Sequence, residues 1–304
     1  MLVTTKAMLK KAQKEGYAVG AFNTSDLEIT KAIVSAAEKL NSPVIIQTSE
    51  KAIAYAGLDE IYSIVSVISK IKKIPIALHL DHGSGFDVAK RCINKGYSSI
   101  MIDGSKFNFN ENINLTKRVV NYAHKKRVPV EAELGVLKGI EDNVRSAEGI
   151  YTDPKQAKEF VKLTKVDSLA VAIGTSHGAY KFKGKPKMDL KRLSEIRELL
   201  TVPLVLHGAS GVPKEIVRVA NKYGARLEHT AGVPDLQIKK AIKLGICKIN
   251  IDTDLRLAFD MAIRKELKEH PEEFDPRGIL HSAMDAIERV VMSKIKLFGS
   301  KNKG

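Results

Sequence analysis

Tryptophan is absent from the 304 residues, aromatic residues make up only 6%, and cysteine occurs just twice. Two thiols, Cys92 and Cys247, cannot build a disulfide framework, and neither lies in a CxxC or other ligand spacing. No stretch approaches the ~18 uninterrupted apolar residues that a membrane-spanning helix needs. The N-terminal MLVTTKAMLKKAQKEG reads as a short lysine-rich helix without the apolar centre of a secretion signal. Together these point to a reducing, cytoplasmic address with no membrane partner. There is no Pro/Gly/Ser linker and no low-complexity segment. No GxGxxG follows the first strand-like run, which weighs against an open dinucleotide-binding sheet.

What is present suits a large core: 44% of residues are hydrophobic and 28% charged. The length admits two domains, but an α/β barrel uses ~250 residues as one unit. Fifty Lys and Arg against thirty-five Asp and Glu leave a net charge of +15. Such a balance can steer phosphorylated metabolites or nucleic acid. Lysine is spread along the chain, however, and no aromatics interleave with basic runs, so most of it reads as solvated surface.

Eight apolar, Val/Ile/Leu-rich runs read as strands: 17–23, 43–47, 75–81, 99–103, 128–134, 167–173, 203–207 and 247–251. Amphipathic stretches between them read as helices. In 26–40, for example, Ile29, Ile33, Ala36 and Leu40 form one stripe behind a Ser25/Glu28 capping-box pattern. Eight strand–helix units predict an α/β fold, a single closed (β/α)8 TIM barrel over 1–304 with extra C-terminal helices. Two long loops, 135–154 and 224–234, stand out, and the closing SKNKG is expected to be disordered.

In such a barrel the chemistry sits where strands end. The third strand ends in Asp81-His82-Gly83, the fourth in Asp103-Gly104, and the fifth carries Glu131 and Glu133. The sixth runs into Gly174-Thr175-Ser176-His177-Gly178, the seventh into His207-Gly208-Ala209-Ser210-Gly211, and the eighth into Asn250-Ile251-Asp252-Thr253-Asp254. His82, His177 and His207 thus reach one rim from three strands, as a catalytic zinc with one open position requires. Each histidine taken alone reads better as a hydrogen-bonded structural residue, and only their shared position at strand ends, each followed by glycine, favours a metal. Asp81 can face the same site only if the chain leaves β geometry there, a bend that Gly83 would ease. It is then either a general acid/base or an orienting partner for a ligand histidine. Glu131 and Glu133 share one strand face and need an answering cation. A second divalent metal with Asp103 and a salt bridge to an interior lysine are both open. GASGVP (208–213) is a glycine-rich turn followed by Pro213 at a helix start, an arrangement that binds phosphate, and NIDTD (250–254) leads from strand to helix in the same way. KFKGKPK (181–187) adds charge or is simply solvated. Lys248 is the only lysine of the eighth strand that could form a Schiff base.

The succession LHLDHG, EAELG, GTSHG, LHGASG and NIDTD resembles the class II fructose-bisphosphate aldolases over nearly the whole chain. That resemblance implies a zinc-dependent barrel lyase forming homodimers or homotetramers, which reversibly cleaves fructose 1,6-bisphosphate to dihydroxyacetone phosphate and glyceraldehyde 3-phosphate. It implies zinc on His82, His177 and His207, acid/base work at Asp81, and a second or alternative metal position at Asp103 and Glu133. Gly178, Gly208, Ala209 and Ser210, with Asn250, Ile251, Asp252 and Thr253, would hold dihydroxyacetone phosphate beside a monovalent cation (Na+ or K+). Ser49 would touch the aldehyde half, Arg277 the far phosphate, within one subunit or across an interface, and Glu141, on the 135–154 loop, would move the C3 proton. Related aldolases that act on tagatose 1,6-bisphosphate resemble NVATE at the eighth strand end, where this chain reads NIDTD. A phosphosugar-binding barrel without turnover and a basic nucleic-acid-binding protein are the rival classes; neither needs both Asp81 and Glu141.

Overall fold

The computed structural model describes residues 1–141, 144–146, 149–178, 187–228 and 230–304, without the side chains of 138–141, 144–146 and 177. Eight strands pair in parallel and close on themselves: β1 (Val19–Asn23), β2 (Val44–Thr48), β3 (Ile76–Gly83), β4 (Ser99–Ile102), β5 (Val130–Leu134), β6 (Ser168–Val171), β7 (Leu204–Leu206) and β8 (Ile246–Ile251). All eight fall within the runs read from sequence, give or take a residue or two. Each is buried on both faces, which is why they read as continuous apolar stretches rather than alternating ones.

The helices are α1 (Thr5–Glu15), α2 (Leu27–Lys39), α3 (Glu50–Ala56), α4 (Leu58–Lys70), α5 (Phe86–Lys95), α6 (Phe109–Lys125), α7 (Pro154–Thr164), α8 (Leu190–Leu199), α9 (Lys214–Lys222), α10 (Asp235–Lys243), α11 (Thr253–Glu269) and α12 (Pro276–Phe298). Helix α12 is the extra C-terminal helix and packs against α2 and α11. Among the described residues no single helix is long and apolar enough to cross a membrane. Helix α1 plugs the end of the barrel opposite the candidate site: Met8, Leu9 and Ala12 bury against Val19, Ala21, Ile45, Ala77 and Cys247 near the strand starts.

Four local expectations change. The cap of α2 is Asp26, whose Oδ1 accepts from Ile29 N at 2.7 Å, so the start lies one residue beyond Ser25. A carboxylate there also complements the helix dipole. Helix α3, with Ser49 as its N-cap, occupies a stretch to which the sequence pattern assigns no element. The 135–154 segment contains two antiparallel strands, Lys138–Glu141 and Val144–Ser146. The last residues are tied down rather than loose: Asn302 N and Gly304 N donate to the Leu40 and Asn41 carbonyls, and Ser300 is buried.

Asp167, just before β6, joins three elements. It accepts from Val130 N (2.9 Å) and His124 Nε2 (2.8 Å) and pairs with Lys6 (3.0 Å). Burial alone would raise its pKa; the Val130 N–H, His124 and Lys6 outweigh it and hold the carboxyl below the usual range. A depressed folded pKa means stability present above the unfolded value, about 3.9 for Asp, and lost as pH falls through the folded one. Asp167→Ala should therefore cost about 1–3 kcal/mol near neutral pH. Urea titrations should show that difference narrowing below about pH 4; a constant difference down to pH 3 would rule the account out.

Candidate active site

The carboxyl end of β3 sets the geometry. His82 adopts φ 48°, a left-handed conformation uncommon outside glycine, and the pairing of β3 with β4 shifts register there. That break turns Asp81 and His82 toward the same rim, as adjacent residues on an unbroken strand could not be. The strain sits on His82 itself, not on Gly83. Glycine is needed at 83 for a different reason: a Cβ would come within 2.7 Å of the Met101 carbonyl.

His82 and His207 meet edge to face, with Nε2 of the first 3.0 Å from Nδ1 of the second. Asp103 Oδ2 lies 2.7 Å from His82 Nδ1, and Glu131 Oε1 lies 2.9 Å from His207 Nε2. Glu133 Oε2 is 3.3 Å from His207 Nδ1, 3.9 Å from His82 Nδ1, and buried without a hydrogen-bond partner. The two alternatives for the glutamates are thus divided between them. Glu131 is answered by the interior lysine, Lys248, at 2.9 Å, whereas Glu133 faces the imidazole pair. Lys248 is fully buried in that ion pair, which leaves no free amine for a Schiff base.

Among the described residues, two ligand sets emerge. One atom each from Asp81, His82 and His207 lies within 4.8 Å of the others, and so do atoms from His82, Asp103 and Glu133. Within this cluster, among the described residues, four buried carboxylates (Asp81, Asp103, Glu131, Glu133) stand against one buried ammonium, Lys248. The excess negative charge, the two imidazoles and the orphaned Glu133 oxygen fit a divalent cation. Burial works against charging either imidazole. At His82 the carboxylates of Asp81, Asp103 and Glu133 nonetheless raise the pKa well above the ordinary value, and at His207 Glu131 and Glu133 also raise it.

Asp81 is held by three amides: those of Asn23 and Gln47, which the sequence reading passed over, and that of Asn250, which the resemblance placed with the substrate phosphate. Oδ2 accepts from Asn23 Nδ2 (3.0 Å) and Gln47 Nε2 (3.1 Å), and Oδ1 accepts from Asn250 Nδ2 (3.0 Å). Burial pushes its pKa up, but the neighbouring imidazoles, Lys248 and the Asn23 amide outweigh this and keep the carboxylate ionised. Asn23 and Gln47 lie inside ordinary strand runs, where a neutral amide gives no pattern signal.

The phosphate turn is built as expected, with an unforeseen support. Gly208 passes so close to Ser176 that a Cβ would meet its carbonyl oxygen at 2.7 Å. This sets the backbones of His207 and His177 on neighbouring segments. Gly211 N (2.9 Å) and Val212 N (2.7 Å) donate to Asp254, which pairs with the buried Lys294 at 2.8 Å. The pair holds Val212 at φ 46°, a conformation β-branched residues avoid. Val233 N from the 224–234 loop donates to the Ser210 carbonyl, closing the turn from outside.

Ser49 and Asp252 line one small cleft with Asn23 and Arg256; Arg256, also unforeseen, is bound to Asp252 through two N–H groups at 2.8 Å. Ala209, Ser210, Asn250 and Thr253 are buried at the rim, and Gly178 is half-buried. The Ile251 side chain packs in the outer core, so only its backbone is offered to the site. Arg277 is not brought in: it is 90% exposed at the start of α12 and bonds Asp275. The side chains of His177 and Glu141 lie outside the described residues, as do residues 181–186 of the basic loop. The backbone carrying Glu141 is described. Lys138 and Gly139 pair in parallel with Ser176 and His177, so the hairpin is bonded to the His177 segment. Both cysteines are buried, and burial pushes their thiols up to about 12 (Cys92) and about 11 (Cys247), which suits no thiolate chemistry.

A closed parallel barrel with imidazoles and carboxylates gathered beside a phosphate-type turn defines a metal-assisted enzyme acting on phosphorylated substrates. A family model described as fructose-bisphosphate aldolase class-II matches residues 3–303, and the chain belongs to that family. Fructose-bisphosphate aldolase of Thermus caldophilus is 49% identical over 302 residues, covering 99% of each chain. That of Helicobacter pylori (strain ATCC 700392 / 26695) is 47% identical over 306 residues, covering 100% of each. The YdjI aldolase of Escherichia coli K12 superposes with a TM-score of 0.81 at 33% identity, over 100% of this chain and 99% of that one.

Proposed function

We propose that the chain reversibly cleaves fructose 1,6-bisphosphate into dihydroxyacetone phosphate and glyceraldehyde 3-phosphate, with zinc held by His82, His177 and His207. The observation that carries the reading is the convergence of Asp81, His82 and His207 at the barrel rim, in a member of this family. A set of imidazoles suits zinc, and His82 with Asp103 and Glu133 offers an alternative position for a divalent ion. When bound, such an ion supplies a Lewis acid for the ketone oxygen and the charge that develops on it.

The chain's own groups do the rest. In cleavage the Asp81 carboxylate takes the C4 hydroxyl proton, the C4–O bond becomes the aldehyde carbonyl as C3–C4 breaks, and the bonding pair stays on C3 of the dihydroxyacetone phosphate half, where a proton is then added. Asn23, Gln47 and Asn250 keep Asp81 fixed and ionised for that step. The turn at Gly208, Ala209 and Ser210, with Gly178 and residues 250–253, binds one phosphate. The cleft at Ser49 and Arg256 receives the other half, and Arg277, turned to solvent, serves a neighbouring copy in a homo-oligomer. Anchoring both ends sets the reacting carbons against Asp81. The Thermus caldophilus and Helicobacter pylori relatives are fructose-bisphosphate aldolases, which favours fructose over tagatose. The test is turnover on both bisphosphates, with and without a chelator. Fructose should be preferred and activity lost on chelation; equal or better turnover of the tagatose isomer would overturn the assignment.

Glu141 is the base that moves the C3 proton. Its strand is bonded to that of His177, so a shift of the hairpin carries the carboxylate relative to the metal site. Glu141→Ala should slow exchange of the C3 proton of dihydroxyacetone phosphate with solvent, measured by NMR deuterium wash-in without aldehyde. Metal content should stay unchanged, and KM should move less than kcat. Exchange at the wild-type rate would leave that proton to another group.

A further inference from the structure

Beneath the rim lies a line of buried polar side chains that the reaction above does not use. Lys248 and His79 have no exposed surface, and Glu131 has 2%. We propose that Glu131 and Lys248 are positioning residues that fix the tautomer and orientation of His207, as the upper part of a hydrogen-bond chain down the barrel interior to Thr5. The inference rests on the metal reading, because it concerns which nitrogen His207 offers to the ion.

The direction of each link as far as Ser99 follows from donor chemistry. Lys248 Nζ is an ammonium that can only donate, and it lies 2.9 Å from Glu131 Oε2 and 3.1 Å from Oε1. It also lies 3.4 Å from His79 Nε2, which must therefore accept. The His79 proton is then on Nδ1, and it is donated to Ser99 Oγ at 2.9 Å. Ser99 Oγ also shares a hydrogen bond of 2.9 Å with Thr5 Oγ1, on the helix that plugs the barrel. Burial and the Lys248 charge push the His79 pKa down to about 3, in keeping with this neutral form. At the upper end Glu131 can only accept, so His207 Nε2, 2.9 Å away, must carry a proton. That leaves Nδ1 of the neutral ring as the ligand atom, on the side of His82. Without the ammonium, Glu131 would be a buried carboxylate free to swing toward a bound cation. Lys248 therefore keeps Glu131 out of the ligand set and on the far side of His207.

The test compares two double variants, Glu131→Gln/Lys248→Met and Glu131→Leu/Lys248→Met. Both neutralise the pair at once, so neither leaves an unpaired buried charge. Zinc and cobalt affinities would be measured by competition with a chromophoric chelator, alongside melting of the metal-free proteins. The Leu/Met protein should bind about 10–100-fold more weakly than wild type. The Gln/Met protein, which keeps an acceptor for His207, should fall by only a few-fold at a similar melting temperature. In the zinc-loaded wild type, 15N-histidine spectra should show a slowly exchanging His207 Nε2–H, lost in the Leu/Met variant and kept in the Gln/Met one. Wild-type affinity in the Leu/Met protein would overturn the proposal. So would a zinc-loaded wild type with the His207 proton on Nδ1, a measurement that needs no variant to fold. A wild-type protein that binds neither ion would instead overturn the metal reading, and the inference with it.

Discussion

Asp81→Ala is expected to lose about 10²–10⁴ in kcat, the usual contribution of one general acid/base, while retaining its divalent ion. Asp81 adjoins a ligand histidine yet spends three of its acceptor sites on Asn23, Gln47 and Asn250, the environment of a fixed base rather than of a coordinating group. Its oxygens also lie within ligand range of His82 and His207, so the alternative has a definite signature. Turnover per metal-loaded protein and metal content measured together separate the two. Stoichiometric metal loss in the variant would move Asp81 into the coordination shell. A rate within a few-fold of wild type would remove it from the chemistry. Truncation strands three amide donors, at about 1–3 kcal/mol for each one left unsatisfied, so folding should be checked by melting before rates are compared. A non-catalytic phosphosugar sensor would also be exposed here, since substrate binding without any wild-type turnover is what that class predicts.

Removing the metal should have the second large effect. Exhaustive chelation should abolish cleavage and added zinc should restore it. His207→Ala should weaken metal binding by more than the about 10–100-fold that follows loss of a ligand's hydrogen-bond partner. The raised pKa values of His82 and His207 give this a pH dependence of known sign. A group whose folded pKa is raised keeps its proton to higher pH, so the ion must displace protons to bind. Affinity should then rise with pH through the region where these imidazoles titrate, and binding should release protons. Calorimetry in buffers of different ionisation enthalpy measures that release. Binding without proton release, or full turnover after chelation, would contradict the assignment.

Much of this site was legible one residue at a time. The strands could be read because a parallel strand covered on both faces is an unbroken apolar run, and the site residues because they follow those runs directly. His82, Asp103, Glu133 and His207 could be placed at one rim on that basis alone. Helix α3 was missed because seven residues give too short a periodicity to read. The strands Lys138–Glu141 and Val144–Ser146 escaped because the first also pairs with the segment carrying His177, more than thirty residues away, which no local alternation announces.

The sequence by itself determined the fold class, the family and the order in which the chemical groups reach the rim, all of which depend on local patterns and short motifs. Only the tertiary structure decided how the acidic groups divide their work. Glu131 pairs with Lys248, 117 residues away, while Glu133, two positions along the same strand, turns to the imidazoles. Likewise Asp81 gathers amides from β1, β2 and β8, and Arg277 stays outside on α12. The physical reason is barrel closure. It brings side chains from distant strands within 3 Å of one another, and at that range burial and hydrogen-bond direction, not residue type, fix what each group can do.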